Sequence, residues 1–316
     1  MKRFIIIITA FALSYTLSAK EYHVAKTGSD DNKGSRDSTF LTIQAAANMA
    51  QPGDIITVHE GVYRERINPP RGGNSDRERI VYRAAMENKV VIKGSEIIKG
   101  WEQIKEDVWK VTIPNIFFGD YNPYQDVIGG EWYRTPRDGF DRHTGAVYLK
   151  GHWLTEAPDI DSLMRSVSEE LFWYGEVDDK STSIWAQFKS IDPNEEEVEI
   201  NVRQSVFYPD QTGRNYITVR GFIMRHAATP WSGAMSEQIG LIGTHWSKGW
   251  IIEDNVISHS INTGITLGRY ELIEAPLPPI TGPGFVRSIE LAIENGWSKE
   301  KIGSHIIRNN HISHCE

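Results

Sequence analysis

Four residues in the second half of the chain have side chains suited to holding a sugar. Trp231, His245 and Trp246 stand where loops leave short β-runs, and Glu237 lies in the same excursion as Trp231. Flat apolar rings at the mouth of a groove stack on sugar faces, which makes these positions candidates for carbohydrate contact. Glu237 adds a carboxylate able to touch substrate. The competing reading is that the rings pack their loops onto the body of the protein and that Glu237 is a surface charge. Glu316 is the one candidate for acid or nucleophile work, which needs a second carboxylate opposite it. No partner is visible, so the catalytic residues stay unassigned.

A second pattern involves histidine. Residues 217–228, 250–261 and 305–316 align to give a column of His226, His259 and His314. Apolar columns Val219/Ile252/Ile307 and Met224/Ile257/Ile312 run beside it, and Asn255 falls over Asn310. Aligned polar residues in a repeat form hydrogen-bonded stacks more often than metal sites, so no metal is assigned. The Gly-flanked Asp30-Asp31-Asn32 lacks the ligand spacing of a calcium loop and reads as a polar turn. Zinc, phosphate-loop and nucleophile-elbow signatures are missing, and no cofactor is expected.

Such repeats of short β-runs bending around Asn or Gly predict successive rungs of a parallel β-solenoid, an all-β fold. Residues 40–50 have helical spacing, with Ile43, Ala46, Ala47 and Ala50 on one face. Thr39 is the expected N-cap, and the helix would cap the open end of the solenoid. Runs at 54–58, 80–82 and 90–92 supply the first coils. From about Trp101 aromatic-rich runs at 108–113, 146–149, 183–188 and 197–202 alternate with polar turns and one helical stretch near 162–171. That texture predicts a β-sandwich inserted over 99–212. The division is therefore 20–98 for the cap and first coils, 99–212 for the insertion, and 213–316 for further coils. Between the later runs, Arg269–Gly303 begins Pro-rich and turns helical near 285–295. In the inserted stretch, residues 115–124 with Trp132 and Arg142-His143-Thr144-Gly145 are dense in rings. Packing against the solenoid is the preferred role there, and walling a sugar pocket the other.

Lys2 and Arg3 precede an apolar run to about Leu17, and Leu17-Ser18-Ala19 offers a cleavage site. This is the pattern of a signal peptide over 1–19, hence a periplasmic or secreted protein with no membrane anchor after cleavage. The 34 basic and 42 acidic residues give a net charge of −8, and losing Lys2 and Arg3 leaves 32 against 42, or −10. So acidic a field disfavours nucleic acid and polyanionic sugars as partners and favours neutral oligosaccharides, unless a local basic patch overrules it. The one cysteine, Cys315, excludes an internal disulfide framework. The composition leaves the oligomeric state open.

Three stretches carry a family resemblance: Glu21–Asp30 with Pro52–Glu65, the run Phe118-Gly-Asp-Tyr-Asn-Pro-Tyr124, and Gly240–Glu253. In this order they resemble the β-xylosidases of glycoside hydrolase family 120, over nearly all of residues 21–316 but only about the first half of such an enzyme. The resemblance implies a right-handed, pectin-lyase-like parallel β-helix interrupted by a β-sandwich. It also implies retaining hydrolysis of β-xylosides or xylo-oligosaccharides by two carboxylates, one acting as nucleophile and one as acid/base. In the family those carboxylates sit on later coils. No residue here carries either over, so the chain is expected to stop short of them and to be inactive alone. Two rivals remain from the residues. A β-helix polysaccharide lyase would need a cationic site and a base, and no basic cluster is apparent in the sequence. A non-catalytic carbohydrate-binding or surface β-helix would use the same loops for adhesion.

Overall fold

The computed structural model describes residues 19–87, 89–129, 133, 139–166, 168–231, 239–267 and 282–315. The expected signal segment, Trp132, Glu237, Glu316 and the Pro-rich start of the 269–303 excursion lie outside these residues. No helix among the described residues is long and apolar enough to cross a membrane.

Strand far outweighs helix in the described chain, and the strands form several sheets. One parallel sheet takes its six strands in chain order: Glu21–Val24, Ile55–Val58, Ile80–Ala84, Ile217–Arg220, Ile251–Glu253 and Ile306–Arg308. A second runs Gly61–Tyr63, Val90–Lys93, Ile223–Ala227, Val256–Ser260 and His311–Cys315. A short third pairs Ile242–Gly243 with Ile265–Thr266. The aligned sequence repeats therefore pair residue for residue. Val219 faces Ile252 and Ile252 faces Ile307, while Met224 faces Ile257 and Ile257 faces Ile312.

Every second residue of these strands points inward, as strand geometry requires. Tyr22, Ile56, Tyr82, Val219 and Ile252 stack in one buried column. Burying each such side chain contributes about 1.5–3 kcal/mol. Ile307, the next member of this column, is 38% exposed, and Ile312, in the neighbouring sheet, is 49% exposed.

The bend between the first two sheets needs a left-handed backbone. Gly221, Asp254 and Asn309 take it, with φ of 81°, 58° and 55°, and these are among the residue types that tolerate it best. The next position holds a side-chain ladder. Asn255 accepts from Phe222 N at 3.0 Å and donates to the carbonyl of Val219 at 3.0 Å. Asn310 accepts from Asn255 N at 3.1 Å and donates to the carbonyl of Ile252 at 2.8 Å. The buried corner amides are thus satisfied by the repeated asparagine.

The helix Ile43–Met49 buries Ile43, Ala46 and Ala47 as its spacing predicts, but Thr42 is its N-cap, accepting from Ala45 N at 3.2 Å. Thr39 cannot serve, because Phe40 continues as extended chain, bonded to His23 and Ala25. Asp30 receives Leu41 N and Thr42 N, and Glu65 receives Ile43 N and Gln44 N, so two carboxylates fix where the helix begins.

Between Ser95 and Asn201 the chain builds two further sheets. One orders His152–Trp153, Val147–Leu149, Val198–Asn201 and Ser95–Ile97, all antiparallel. The other orders Thr155–Glu156, Phe172–Val177, Ser181–Gln187, Val108–Pro114 and Glu102–Lys105. A separate apolar cluster draws on both, including Trp101, Val111, Val147, Trp173, Ile184 and Ile200. The helix expected near 162–171 spans Ile160–Arg165 instead. Asp159 caps it through Ser162 N at 2.6 Å, and the chain turns extended again at Phe172.

Candidate functional site

The strands Ser95–Ile97, Val147–Leu149 and Val198–Asn201 bring polar side chains against the second parallel sheet. Glu199 is fully buried there. It accepts from Lys93 Nζ at 2.9 and 2.8 Å, from Ser95 Oγ at 2.9 Å, and from Arg64. Burial works against its charge, but the His226 ring 3.6 Å away and the bonds from Lys93 and Arg64 outweigh it and hold the carboxyl well below the usual range. His226 is equally buried, its Nδ1 2.9 Å from Ser95 Oγ, and burial keeps its imidazole below its ordinary value. The ion pair is therefore Glu199 with two cations, beside a neutral His226.

His226, His259 and His314 adopt φ of 65°, 55° and 50°, a conformation in which histidine is enriched among non-glycine residues. The expectation of a hydrogen-bonded stack is corrected. Among the described residues these rings meet by their faces and edges: His226 edge-on to His259 at 5.7 Å, and His259 flat on His314 at 4.8 Å. Tyr148 lies flat on His226 and Trp153 lies edge-on to His259. Backbone geometry and ring packing explain the column without a ligand. No group of three or more His, Cys, Asp or Glu among the described residues is placed to hold a metal ion.

Next to this contact a cleft of about 140 Å³ opens, lined among others by Arg142, His143, Trp153, Glu156, Trp173 and Ile261. His143 Nδ1 stands 2.6 Å from Glu156 Oε1, and the His143 amide donates to Glu156 Oε2 at 3.0 Å. The hydrogen bond from Glu156 raises the His143 pKa above its ordinary value, against the effect of burial. The rim is tied down by Tyr121, whose hydroxyl is 2.8 Å from Asp126 Oδ2, 2.6 Å from Thr144 Oγ1 and 2.9 Å from the carbonyl of Ala228. Indole walls with a guanidinium, an imidazole and a carboxylate are the combination that holds a sugar ring by stacking and by its hydroxyls.

The sequence-based candidates divide. Trp231 is half-buried, three residues beyond Ala228, and meets Tyr133 edge-on at 5.4 Å. His245 Nδ1 donates to the carbonyl of Pro209 at 2.7 Å, which requires the Nδ1–H form, and the ring stacks on Tyr208 at 5.2 Å. Trp246 accepts Gly213 N at 3.1 Å through its carbonyl. Both have left-handed backbones, φ 42° and 52°. Trp250 is core, its Nε1 donating to the carbonyl of Arg214 at 2.6 Å. In the aromatic segment Phe118 and Tyr124 are buried in the second apolar cluster, as packing requires, and Tyr121 reaches the Ala228 carbonyl.

Sequence reasoning missed Glu156, Trp153, Glu199, Lys93 and Arg64. Glu199 offers a faint signal, since an acid flanked by Val198 and Ile200 in a short run ending at Asn201 suggests a strand buried on both faces. Glu156 has none.

Residues 98–200 match the family model described as glycoside hydrolase 120, insertion domain. Among solved structures the chain is similar to XylC in its complex with xylose, at 46% identity and a TM-score of 0.86, covering 93% of this chain and 50% of that one. It is similar in fold to a glycoside hydrolase structure at 12% identity and a TM-score of 0.51, covering 78% of this chain and 63% of that one. A curated relative, the uncharacterized protein YwoF of Bacillus subtilis (strain 168), is 29% identical over 96 residues, 29% of this chain and 20% of its own. The chain spans about half the length of XylC, and its match to YwoF covers a fifth of that protein.

Proposed function

We propose that these 316 residues are the N-terminal portion of a glycoside hydrolase of family 120 that cleaves β-xylosides or short, neutral xylo-oligosaccharides. The observation that carries this reading is the 46% identity to XylC, solved with xylose, across 93% of the chain. The insertion-domain match over 98–200 supports it. On this reading the parallel sheets are the coils of a right-handed, pectin-lyase-like β-helix. Residues 99–212 are an inserted β-sandwich, and the protein is exported to the periplasm or beyond the cell after loss of a signal peptide.

The mechanism is retaining. One carboxylate attacks the anomeric carbon while another protonates the leaving oxygen, the pair standing about 5–5.5 Å apart. Both belong to the half of such a hydrolase that this chain does not span. The part of the described residues is to hold sugar. The cleft at Trp153, His143 and Glu156 supplies stacking and hydroxyl contacts, and Trp231, on the neighbouring excursion, extends that surface.

The test is the full-length gene product with 4-nitrophenyl β-D-xyloside. Release of 4-nitrophenol, with β-xylose appearing before its α-anomer by proton NMR, is the expected result. Binding of xylo-oligosaccharide without turnover, or unsaturated products from an acidic polysaccharide, would overturn it.

A further inference from the structure

The outward face of the first parallel sheet carries a cationic depression that shares no lining residue with the cleft at Trp153. Thr57, Arg83 and Arg220 stand opposite one another on three adjacent strands, and Arg36 enters from the loop that follows the first strand. Strands lie about 4.8 Å apart, and like charges placed directly opposite repel. Arg83 is relieved on one side. Its Nε donates to Thr57 Oγ1 at 2.9 Å and its Nη2 to Glu21 Oε1 at 2.8 Å. Among the described residues Arg220 comes no nearer a carboxylate than 3.8 Å, from Glu253. Among the described residues no hydrogen bond is made by the guanidinium of Arg36 or of Arg220, or by Nη1 of Arg83.

His23 and His59 complete the depression, with Nδ1 of one 3.1 Å from Nε2 of the other and the rings stacked at 5.3 Å. One imidazole must donate and the other accept, so at least one of these nitrogens is unprotonated. Burial holds His23 below its ordinary pKa, and Arg36 and Arg83 reinforce that against Glu21. The lining thus contains three guanidiniums against the two carboxylates of Glu21 and Glu87. In a chain of net charge −8 this is a local surplus of the opposite sign. At about 870 Å³ the space exceeds what a bare ion fills. Guanidinium forks match the planar, two-oxygen geometry of a carboxylate.

We propose that this depression binds the carboxylate of an acidic sugar, a uronate residue, through Arg36, Arg83 and Arg220. The carboxylate takes the unspent guanidinium donors and relieves the Arg83–Arg220 repulsion, while the sugar body lies across the paired imidazoles. The choice of a sugar as the carrier of the carboxylate rests on the proposed glycoside hydrolase. The anion site itself does not. Such a site would let the protein hold an oligosaccharide by an acidic substituent while a neutral part is cleaved elsewhere.

The experiment is isothermal titration of the full-length protein, at low salt, with D-glucuronate, D-xylose and inorganic phosphate in turn. Glucuronate is expected to bind more tightly than phosphate, and to lose at least tenfold in affinity in both Arg36→Gln and Arg220→Gln. Arg36→Lys, which keeps the charge but not the fork, should fall between. Xylose affinity and turnover of 4-nitrophenyl β-D-xyloside should be unchanged in these variants, which also shows that they are folded. Absence of glucuronate binding, or binding indifferent to both substitutions, overturns the site. Phosphate binding as tight as glucuronate overturns the sugar assignment. Glucuronate binding with no xyloside turnover in the unmodified protein sinks the hydrolase reading and leaves the carboxylate site standing.

Discussion

The imidazole of His226 lies flat against the phenol ring of Tyr148, centroids 3.8 Å apart and planes within 14°. Tyr148 belongs to an antiparallel sheet and His226 to a parallel one, so this contact joins the two kinds of sheet. It sits beside the buried carboxylate of Glu199, 3.6 Å from His226 Nδ1. Stacking, ion pairing and a neutral imidazole are therefore parts of one interface. Disturbing any of them should loosen the attachment that holds the cleft in shape.

Glu199→Leu should be strongly destabilising, because it puts an apolar side chain beside Lys93 and Arg64 and leaves them only the half-exposed Glu197, 2.9 Å from Lys93 and 3.9 Å from Arg64, as a carboxylate partner. Removing one member of a buried pair typically costs about 3–5 kcal/mol. Lys93 is 8% exposed at its side chain and Arg64 17%, so Lys93 is the cation that cannot turn to water. Urea unfolding should show the loss, and Lys93→Met in the same chain should recover most of it. Equal stability of Glu199→Leu and the unmodified protein would show that the pair contributes nothing.

Acid should weaken the same interface before it protonates Glu199. His259, edge-on to Trp153, is pushed down to about 4, chiefly by burial and then by its His226 and His314 neighbours; away from this interface, burial also holds His305, which accepts from Trp250 N, at about 4. A base whose folded pKa is depressed contributes stability above its unfolded value near 6.5, and that contribution is lost as pH falls toward the folded value. The melting temperature should therefore drop between pH 6.5 and about 4. His259→Gln should flatten part of that slope. A melting temperature constant across this window would contradict the assignment of these imidazoles as neutral.

The repeats were legible because each position uses one kind of residue. Inward columns are aliphatic, the left-handed corner is Gly221, Asp254 or Asn309, and the left-handed position beyond it is histidine every time. Their pairing in parallel register follows directly. The buried ion pair was not legible, since Lys93 and Glu199 lie 106 residues apart and each looks like a surface charge in its own run. Arg83 and Arg220 became neighbours for the same reason, which is why the sequence shows no basic cluster. The helix cap moved from Thr39 to Thr42 because Phe40 has hydrogen bonds to make in the first sheet, a partner invisible to local spacing.

Asn255→Ala should cost more than Asn310→Ala, although the two occupy the same position of the repeat. Asn255 is 1% exposed, and its loss removes the side-chain partner of Phe222 N and of the Val219 carbonyl in a place shut off from water. Each buried group left unsatisfied costs roughly 1–3 kcal/mol. Asn310 is half-buried, so water can replace part of what it supplies. Chemical denaturation of the two variants should separate them in that order. The reverse order would mean that Asn310 contributes more to the ladder than Asn255 does.

Glu156→Gln should move the titration of His143 downward and weaken sugar binding together. The carboxylate accepts from both the ring and the amide of His143, and it is the first cause of the raised imidazole pKa. An amide can keep one hydrogen bond but not the charge, so burial would then dominate and bring the imidazole below its present value. The NMR titration of His143 should show that shift whatever the catalytic state of the protein. If the cleft holds a sugar ring, xylose affinity in the full-length protein should fall about tenfold in this variant and further in Trp153→Ala, which removes the stacking wall. A shifted titration with unchanged xylose affinity would leave the His143–Glu156 pair intact as chemistry and remove the cleft from the sugar-binding surface.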